Sequence, residues 1–266
     1  MIQHIRGMLN QFPRLKDFLR RIKAALVGHT AVSTGFVTLA GDAVGHEVTR
    51  LRGSWKADEL PLKQRVLVER QLAQYRAGRK TDVFDVLVDS IRQLPVSART
   101  TVLEIGCSSG YYSEVFDVAG LPLKYTGCDY SPAFVALARK TYPELKFDIE
   151  DAVSLRYPDA SYDIVVSGCC LLHIPEYEAA IAETVRVAIS YAIFHRTPVV
   201  LGQPNKYYRK LAYGVETVEI HFNEPQFLEL LASYGLELIA TYTLDESVLD
   251  GVGSAVRTYV CRKIPL

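Results

Sequence analysis

The sequence predicts an α/β fold in which helices wrap a mainly parallel sheet. Three observations predict it. From about residue 95, short apolar runs alternate with stretches of helical periodicity. The first run, TVLEIGC, leads into a loop of small residues, Gly106 to Gly110, and then into a helix. The last two runs, LELIATYTL and VRTYVCRKI, have no helix between them, so they predict two strands joined by a turn around Asp250 and Gly251.

Composition limits the possible classes of protein. With 266 residues and 49% hydrophobic content, the chain can bury a full core. Lys and Arg total 30 and Asp and Glu total 30, so no overall positive field favours a nucleic-acid partner. The 5 cysteines lack C-x-x-C spacing, and no apolar run reaches the ~18 residues that span a bilayer. We therefore expect a cytoplasmic protein that acts on small molecules.

The N-terminal part predicts helices. Residues 1–27 space their apolar side chains at helical intervals with basic residues between them. This basic amphipathic helix either packs across the rest of the chain or a second subunit, or docks on a partner or on anionic lipid at the inner face of the membrane. Residues 28–59 show no clear period and predict loops and short pieces, whereas residues 60–94 predict two helices separated near Gly78.

We interpret residues 1–94 as an N-terminal helical extension or lid, and residues 95–266 as the main domain. Trp55 and Tyr75 of the extension are candidate lid residues, with core packing as the alternative.

The elements predicted for the main domain are strand TVLEIGC, helix Tyr112–Val118, strand KYTGCDY, helix Pro132–Tyr142, strands LKFDIED and YDIVVSGC, helix Tyr177–Ile189, strand SYAIFH, helix Glu224–Tyr234 and the final strand pair.

Ligands of open parallel sheets bind outside the carboxyl ends of the strands, so the residues after each strand predict the ligand. A dinucleotide loop needs glycine at its first, third and sixth positions, which here are Gly106, Ser108 and Tyr111. The aromatic residue at the sixth position is a poor fit, and no phosphate loop is present. Asp129 ends the second strand, where a carboxylate can accept both hydroxyls of a ribose. This pattern favours a nucleoside without a pyrophosphate.

Two further positions extend the nucleoside hypothesis. Asp151 and the backbone N–H of Ala152 follow the third strand, where they can meet an exocyclic amine and a ring nitrogen of adenine. An anionic Glu104 under the glycine loop suggests that the ligand has a cationic amine where a nucleotide would have phosphates.

Four segments, VLEIGCSSGYYSEV, YTGCDYSPAFVALARK, FDIEDAVSLRYPDASYDIVVSGCCLLHIPEYEAAIAETVRV and SYAIFHRTP, resemble in order the motifs of the class I S-adenosylmethionine-dependent methyltransferase family. The resemblance implies a Rossmann-like, seven-stranded mixed sheet whose last strand is antiparallel and inserted between the fifth and sixth. It also implies S-adenosyl-L-methionine as cofactor and S-adenosyl-L-homocysteine as its product. The middle glycine of the family's usual G-x-G-x-G is Ser108 here, a small residue that should still admit the cofactor. The cofactor-binding residues that the resemblance implies are Glu104, Gly106, Ser108, Gly110, Asp129, Tyr130, Asp151, Ala152, Ser167 and Cys169.

Methyl transfer to an oxygen requires a base near neutral pKa, and histidine is the natural candidate. Three histidines follow strands or precede the last strand pair: His173, His195 and His221. The resemblance to quinone-type O-methyltransferases places His173 nearest the acceptor. The alternative for His173 is a buried histidine satisfied by backbone, and for the other two a solvated loop histidine. No cluster shows zinc spacing, so we predict no metal.

Residues 196–223 form a segment longer than a simple connection needs, so we expect a substrate-binding insertion. Its Arg196, Tyr207 and Tyr208, together with Tyr75, are the candidate substrate-binding residues. Together, Tyr207, Tyr208, Arg209 and Lys210 could stack on and pair with an anionic or glycosylated acceptor, and a solvated turn with surface tyrosines is the alternative.

The residues after the fourth strand, Ser167 to Cys170, differ from the motifs that the resemblance would imply for methylation of DNA bases. We therefore expect methyl transfer to a small molecule or glycan, and favour O-methylation of a sugar in surface-polysaccharide biosynthesis. N-methylation of an amino sugar or other small molecule is the near alternative. A non-catalytic cofactor-binding scaffold that docks through residues 1–27 is the alternative from another class. Homo-oligomerisation stays open.

Overall fold

The structure is a computed structural model that describes residues 33–249 and 251–264. The basic helix expected over residues 1–27 lies outside this part of the chain. The described N-terminal part consists of β1 (Ser33–Leu39), α1 (Asp42–Leu51), a 3-10 turn (Ser54–Lys56), α2 (Leu60–Arg76) and α3 (Asp82–Arg92). The two helices predicted over residues 60–94 and the break near Gly78 are confirmed. The described part of residues 28–59, expected to form loops and short pieces, holds one strand, one helix and one 3-10 turn.

The remaining elements follow the predicted alternation of strands and helices. They are β2 (Thr101–Ile105), α4 (Tyr111–Val118), β3 (Lys124–Asp129), α5 (Pro132–Thr141), β4 (Lys146–Ile149), β5 (Tyr162–Gly168), a 3-10 turn (Leu171–His173), α6 (Tyr177–Val187), β6 (Ala188–Val200), β7 (Lys206–Ala212), β8 (Val215–Asn223), α7 (Glu224–Ser233), β9 (Leu236–Leu249) and β10 (Val252–Lys263).

Seven strands form the predicted sheet, in the order β4-β3-β2-β5-β6-β10-β9. The pairs from β4 to β6 are parallel, and β10 runs antiparallel between β6 and β9. This confirms the expected insertion of the last strand. The parallel register aligns the carboxyl ends of β2, β3 and β5, since Ile105 lies between Cys128 and Ser167.

Three further strands make the sheet ten-stranded, so the expected count of seven is wrong. β8 pairs in parallel with Val199 and Val200 at the end of β6, and β7 and β1 continue antiparallel from it. At Val199 and Val200, β10 pairs with one edge of β6. β8 therefore pairs with the other edge, the same edge that pairs with β5 in the first part of β6. The segment expected to be a long loop is therefore a β-hairpin that stands beyond the end of β5.

The core lies between the helices and the sheet. On α3, Phe84, Leu87, Val88 and Ile91 follow the spacing of one helical face and are all fully buried. Burial of each such side chain contributes roughly 1.5–3 kcal/mol. Within the described residues, no helix is both long and apolar enough to cross a membrane.

Candidate active site

A cavity of about 350 Å³ opens at the carboxyl ends of β2, β3 and β5. Its floor is the loop after β2, and its walls come from α2, the turn after β5 and the β7–β8 hairpin. This position agrees with the rule that ligands bind beyond the carboxyl ends of parallel strands.

The loop after β2 has a tightly packed backbone. Gly106 has φ 71°, and a Cβ there would lie 2.3 Å from Cβ of Cys170. Ser108, in the family's middle-glycine position, also has a positive φ of 49°. Its hydroxyl and that of Ser109 are buried without a hydrogen-bond partner in the structure. A strained loop with unpaired buried hydroxyls, one of them on the cavity wall, is a feature of ligand sites.

Asp129 lies at the end of β3 and lines the cavity. Its two carboxylate oxygens each accept one backbone hydrogen bond, from Ser108 N at 2.9 Å and from Ser131 N at 2.9 Å. Burial raises the pKa of Asp129 to about 6, against the lowering effect of these bonds. Because each carboxylate oxygen has two lone pairs, two acceptor sites remain on Asp129.

Asp151 and Ala152 line the cavity after β4, together with Glu150 and Tyr130. Asp151 is exposed and accepts a hydrogen bond from the backbone N–H of Val153 at 3.2 Å. The structure thus brings these predicted residues to the same side of the cavity as Asp129. Cys169 lines the opposite wall, with φ 62°.

Three predicted cofactor residues lie outside the cavity lining. Glu104 is buried and accepts a hydrogen bond from the Tyr125 hydroxyl, and burial raises its pKa well above the usual range. Glu104 thus lies beneath the glycine loop, as expected, but outside the cavity lining. Gly110 begins α4 with φ 74°, and a Cβ there would meet the Phe147 ring at 2.5 Å. The Ser167 hydroxyl is buried and lies 3.3 Å from the Cys170 sulfur. These residues support the site from beneath.

His173 is the predicted histidine that lines the cavity. Its Nδ1 lies 2.7 Å from the carbonyl oxygen of Val218 on β8. Since a carbonyl oxygen only accepts, Nδ1 carries the proton and Nε2 carries the lone pair. Burial lowers the pKa of His173 to about 4, and the charge of Lys210 adds to this. The ring is therefore neutral at pH 7.

An ion pair on the hairpin forms the wall beside His173. Lys210 of β7 and Glu219 of β8 both line the cavity, are buried, and bond to each other. His221 Nε2 lies 2.8 Å from the second carboxylate oxygen of Glu219. Although burial raises the pKa of Glu219, Lys210 and His221 outweigh it and hold this pKa well below the usual range.

The other two predicted catalytic histidines lie outside the cavity lining. His195 is fully buried, and its Nδ1 and Nε2 bond to the hydroxyls of Thr258 at 2.8 Å and Tyr112 at 3.0 Å. His221 is also buried, between Glu219 and Ser254. Both were expected to be reactive groups or solvated loop residues. The structure makes each a buried residue with both ring nitrogens occupied.

Of the predicted substrate residues, only Arg196 lines the cavity. Tyr207 is half-buried in the core beneath the hairpin, and Tyr208 is buried against the His221 ring at 4.8 Å. Tyr75 packs edge-to-face on Phe84 at 5.4 Å and lies outside the cavity lining, as the core-packing alternative expected. Tyr207 lies on the opposite face of β7 from Lys210, whereas Tyr208 shares the face of Lys210 and is covered by the His221 ring.

Trp55 does cover the cavity, and its ring lies 4.7 Å from that of His173. Tyr213, in the hairpin turn, lies 6.5 Å from Trp55, edge to face. Sequence reasoning missed Tyr213 and Glu219. The signal for Glu219 was the alternation of polar and apolar residues in VETVEIHFN, which places Thr217, Glu219 and His221 on one face of a strand.

Among the described residues, no group of three or more His, Cys, Asp or Glu side chains is arranged to hold a metal ion. The site is therefore built from a glycine loop, two strand-end carboxylates, one neutral histidine, an aromatic cover and a buried ion pair.

Comparison with known proteins shows which proteins this chain is similar to. The family described as "Methyltransferase domain" matches residues 103–194. A probable S-adenosylmethionine-dependent methyltransferase of Mycolicibacterium smegmatis is 28% identical over 157 residues, which cover 58% of this chain and 57% of that protein. Ajmaline N-methyltransferase of Rauvolfia serpentina is 31% identical over 108 residues, which cover 37% of this chain and 35% of that protein. The match thus spans less than two thirds of the length of either relative.

A solved structure shows the same fold. The 1,6-didemethyltoxoflavin-N1-methyltransferase of Burkholderia thailandensis, with bound 1,6-didemethyltoxoflavin and S-adenosylhomocysteine, has a TM-score of 0.51 at 19% identity. The alignment covers 88% of this chain and 100% of that one. The likeness extends over most of the described elements.

Proposed function

We propose that this chain carries a class I S-adenosylmethionine-dependent methyltransferase domain, and that it transfers a methyl group from S-adenosylmethionine to an oxygen of a sugar-like small molecule. We choose oxygen as the methylated atom because His173 is neutral and its Nδ1–H donates a hydrogen bond to the carbonyl oxygen of Val218. Its Nε2 lone pair is therefore available to a hydroxyl.

The residues of the cavity fit the cofactor. Asp129 keeps two acceptor sites, as many as the two hydroxyls of a ribose require. Asp151 and Ala152, on the next strand, offer a carboxylate and a backbone N–H for the adenine. The unpaired hydroxyl of Ser108 lies between them and the methionine end. We assign these residues to cofactor binding.

When bound, S-adenosylmethionine supplies a methyl group on a sulfonium, a leaving group that its charge already activates. The protein has to align an acceptor oxygen with that methyl group and to exclude water. Trp55 over His173 and the turn at Tyr213 close the cavity above. His173 Nε2 takes the proton of the acceptor hydroxyl as the new carbon–oxygen bond forms. Because its pKa of about 4 lies below neutral, its contribution is at the low end of the roughly 10² to 10⁴ in rate that a positioned base supplies.

We choose a sugar as the acceptor because of the residues around His173 in the cavity, Trp55, Tyr213 and Lys210. Aromatic rings such as those of Trp55 and Tyr213 suit the C–H faces of a sugar ring, and Lys210 has two N–H groups beyond its bond to Glu219. We propose that the acceptor belongs to surface-polysaccharide biosynthesis. The experiment has to distinguish O-methylation from N-methylation, because an amine acceptor depends less than a hydroxyl on histidine as a base.

The test has two parts. Calorimetric titration with S-adenosylhomocysteine establishes the cofactor site, and a methyl-release assay then screens sugar, phenol and amine acceptors. For a hydroxyl acceptor, we expect His173→Gln to lower kcat about 10²- to 10⁴-fold with little change in cofactor affinity. Turnover with amines alone, or a His173→Gln variant that keeps wild-type kcat, would contradict O-methylation by this base. Binding without turnover of any acceptor would favour the scaffold alternative.

A further inference from the structure

Three cations line the described part of the cavity, and two of them already have acidic partners. Arg52 lies 3.1 Å from Glu176, and Lys210 is paired with Glu219. Arg196 forms no ion pair with any described residue.

Of the described side chains, those that act most strongly on the charge of Arg196 include no carboxylate. The ionisable side chains that raise its pKa are Cys169, Tyr112, Tyr111 and Tyr213, and none of them is a carboxylate. A partly buried guanidinium without an anion is costly unless a ligand completes the pair. The missing partner is therefore an anion that enters the cavity.

The backbone directs Arg196 into the cavity. In the pairing of β6 with β10, Phe194 faces Tyr259 and Thr197 faces Arg257. The two residues His195 and Arg196 thus lie opposite the single residue Thr258, and this two-to-one pairing is a β-bulge. Within the bulge, Arg196 has a positive φ of 58°. Bulges next to active sites re-aim side chains in this way. As a result, His195 points into the core, whereas Arg196 lines the cavity.

The cofactor supplies an anion of the right kind. Tyr111 and Tyr112, which face Arg196, are the first residues of α4, directly after the glycine loop. We propose that Arg196 binds the carboxylate of the methionine moiety of S-adenosylmethionine, an inference that rests on the proposed cofactor site. Asp129 and Arg196 then hold opposite ends of the cofactor, the ribose and the amino-acid carboxylate. A planar guanidinium suits a carboxylate because it can donate two parallel hydrogen bonds.

Two ligands that differ at the methionine end test this role. S-adenosylhomocysteine has the carboxylate, whereas 5′-methylthioadenosine has the same adenosine without the amino-acid part. By calorimetry, we expect Arg196→Gln to weaken S-adenosylhomocysteine about 10- to 100-fold and 5′-methylthioadenosine less than 3-fold. Arg196→Lys should recover part of the loss. Arg52→Gln is the matched control, a cavity arginine with its own acid, and should change both affinities less than 3-fold.

The other outcomes would overturn the inference. Equal weakening of both ligands by Arg196→Gln would mean that Arg196 only supports the fold of the site. Unchanged affinity for both would mean that its charge faces the acceptor instead. If wild-type protein bound neither ligand, the proposed function would fail first, and this result is distinct from a failure at Arg196.

Discussion

Asp129 shows how a single residue can serve binding at a cost to stability. Burial raises its pKa from 3.8 to about 6, so the folded protein holds the proton more tightly than the unfolded chain does. The stability that this proton provides at low pH is lost as pH rises from about 4 to 6. At neutral pH the buried carboxylate costs about 3 kcal/mol. Retention of such a group is understandable if a ligand needs its charge.

We predict that affinity for S-adenosylhomocysteine falls about tenfold between pH 7 and pH 5, because protonation of Asp129 removes acceptor sites. Asp129→Asn should bind more weakly at pH 7 and lose this pH dependence. Calorimetric titration at pH 5, 6, 7 and 8 measures both effects. The variant should unfold at the same temperature as the wild type or a higher one, which separates lost binding from misfolding. A wild-type affinity that stays constant over this range would refute the role of Asp129.

At the scale of elements, the β7–β8 hairpin forms the wall of the cavity at which we propose that the acceptor binds. It places Lys210 and Glu219 in a buried pair beside His173, and its Val218 carbonyl sets the tautomer of that ring. Burial of two charges is tolerated because each has the other, and because His221 bonds to the remaining oxygen of Glu219.

We predict that Lys210→Met destabilises the protein by about 3–5 kcal/mol, since it leaves Glu219 buried without its cation. The double variant Lys210→Met/Glu219→Leu should recover most of this loss. Chemical denaturation gives the free energies of unfolding. The matched control is Arg262→Gln, which breaks an exposed cross-strand pair with Glu237 and should cost less than about 1 kcal/mol. Equal costs for the two single variants would contradict a buried pair.

At the scale of the whole molecule, the proposed cofactor site joins parts of the chain that are distant in sequence. The cavity is lined by α2, by the ends of β2, β3 and β5, and by the hairpin. A ligand bound there contacts most of the fold, so it should oppose global unfolding and not only local motion.

We predict that S-adenosylhomocysteine at 100 times its Kd raises Tm by about 5–10 °C. This follows from about 2.7 kcal/mol of ligand stabilisation and about 2–4 °C per kcal/mol for a domain of this size. Differential scanning calorimetry measures the shift. Asp129→Ala at the same ligand concentration should show little change. An equal shift in this variant would place the ligand elsewhere.

Much of the cofactor side was predictable because it depends on short local patterns. Gly106, Asp129 and Asp151 each follow an apolar run that reads as a strand, and parallel strands bring their carboxyl ends to one edge. The same motif predicted Glu104 as a contact of the cofactor, and the structure buries it outside the cavity lining. The residues of a strand alternate between its faces, and the sequence does not say which face holds Tyr125.

The α/β class, the succession of strands and helices along the chain, the glycine loop and the strand-end carboxylates were evident from the sequence, because periodicity and turn residues are local properties of the chain. Only the tertiary structure decided the acceptor side. Pairing of β8 with Val199 and Val200, and of β1 with β7 some 170 residues later, turned an expected loop into a wall. These contacts also separated His173 from His195 and His221, since burial and hydrogen bonding of a side chain depend on neighbours that are remote in sequence.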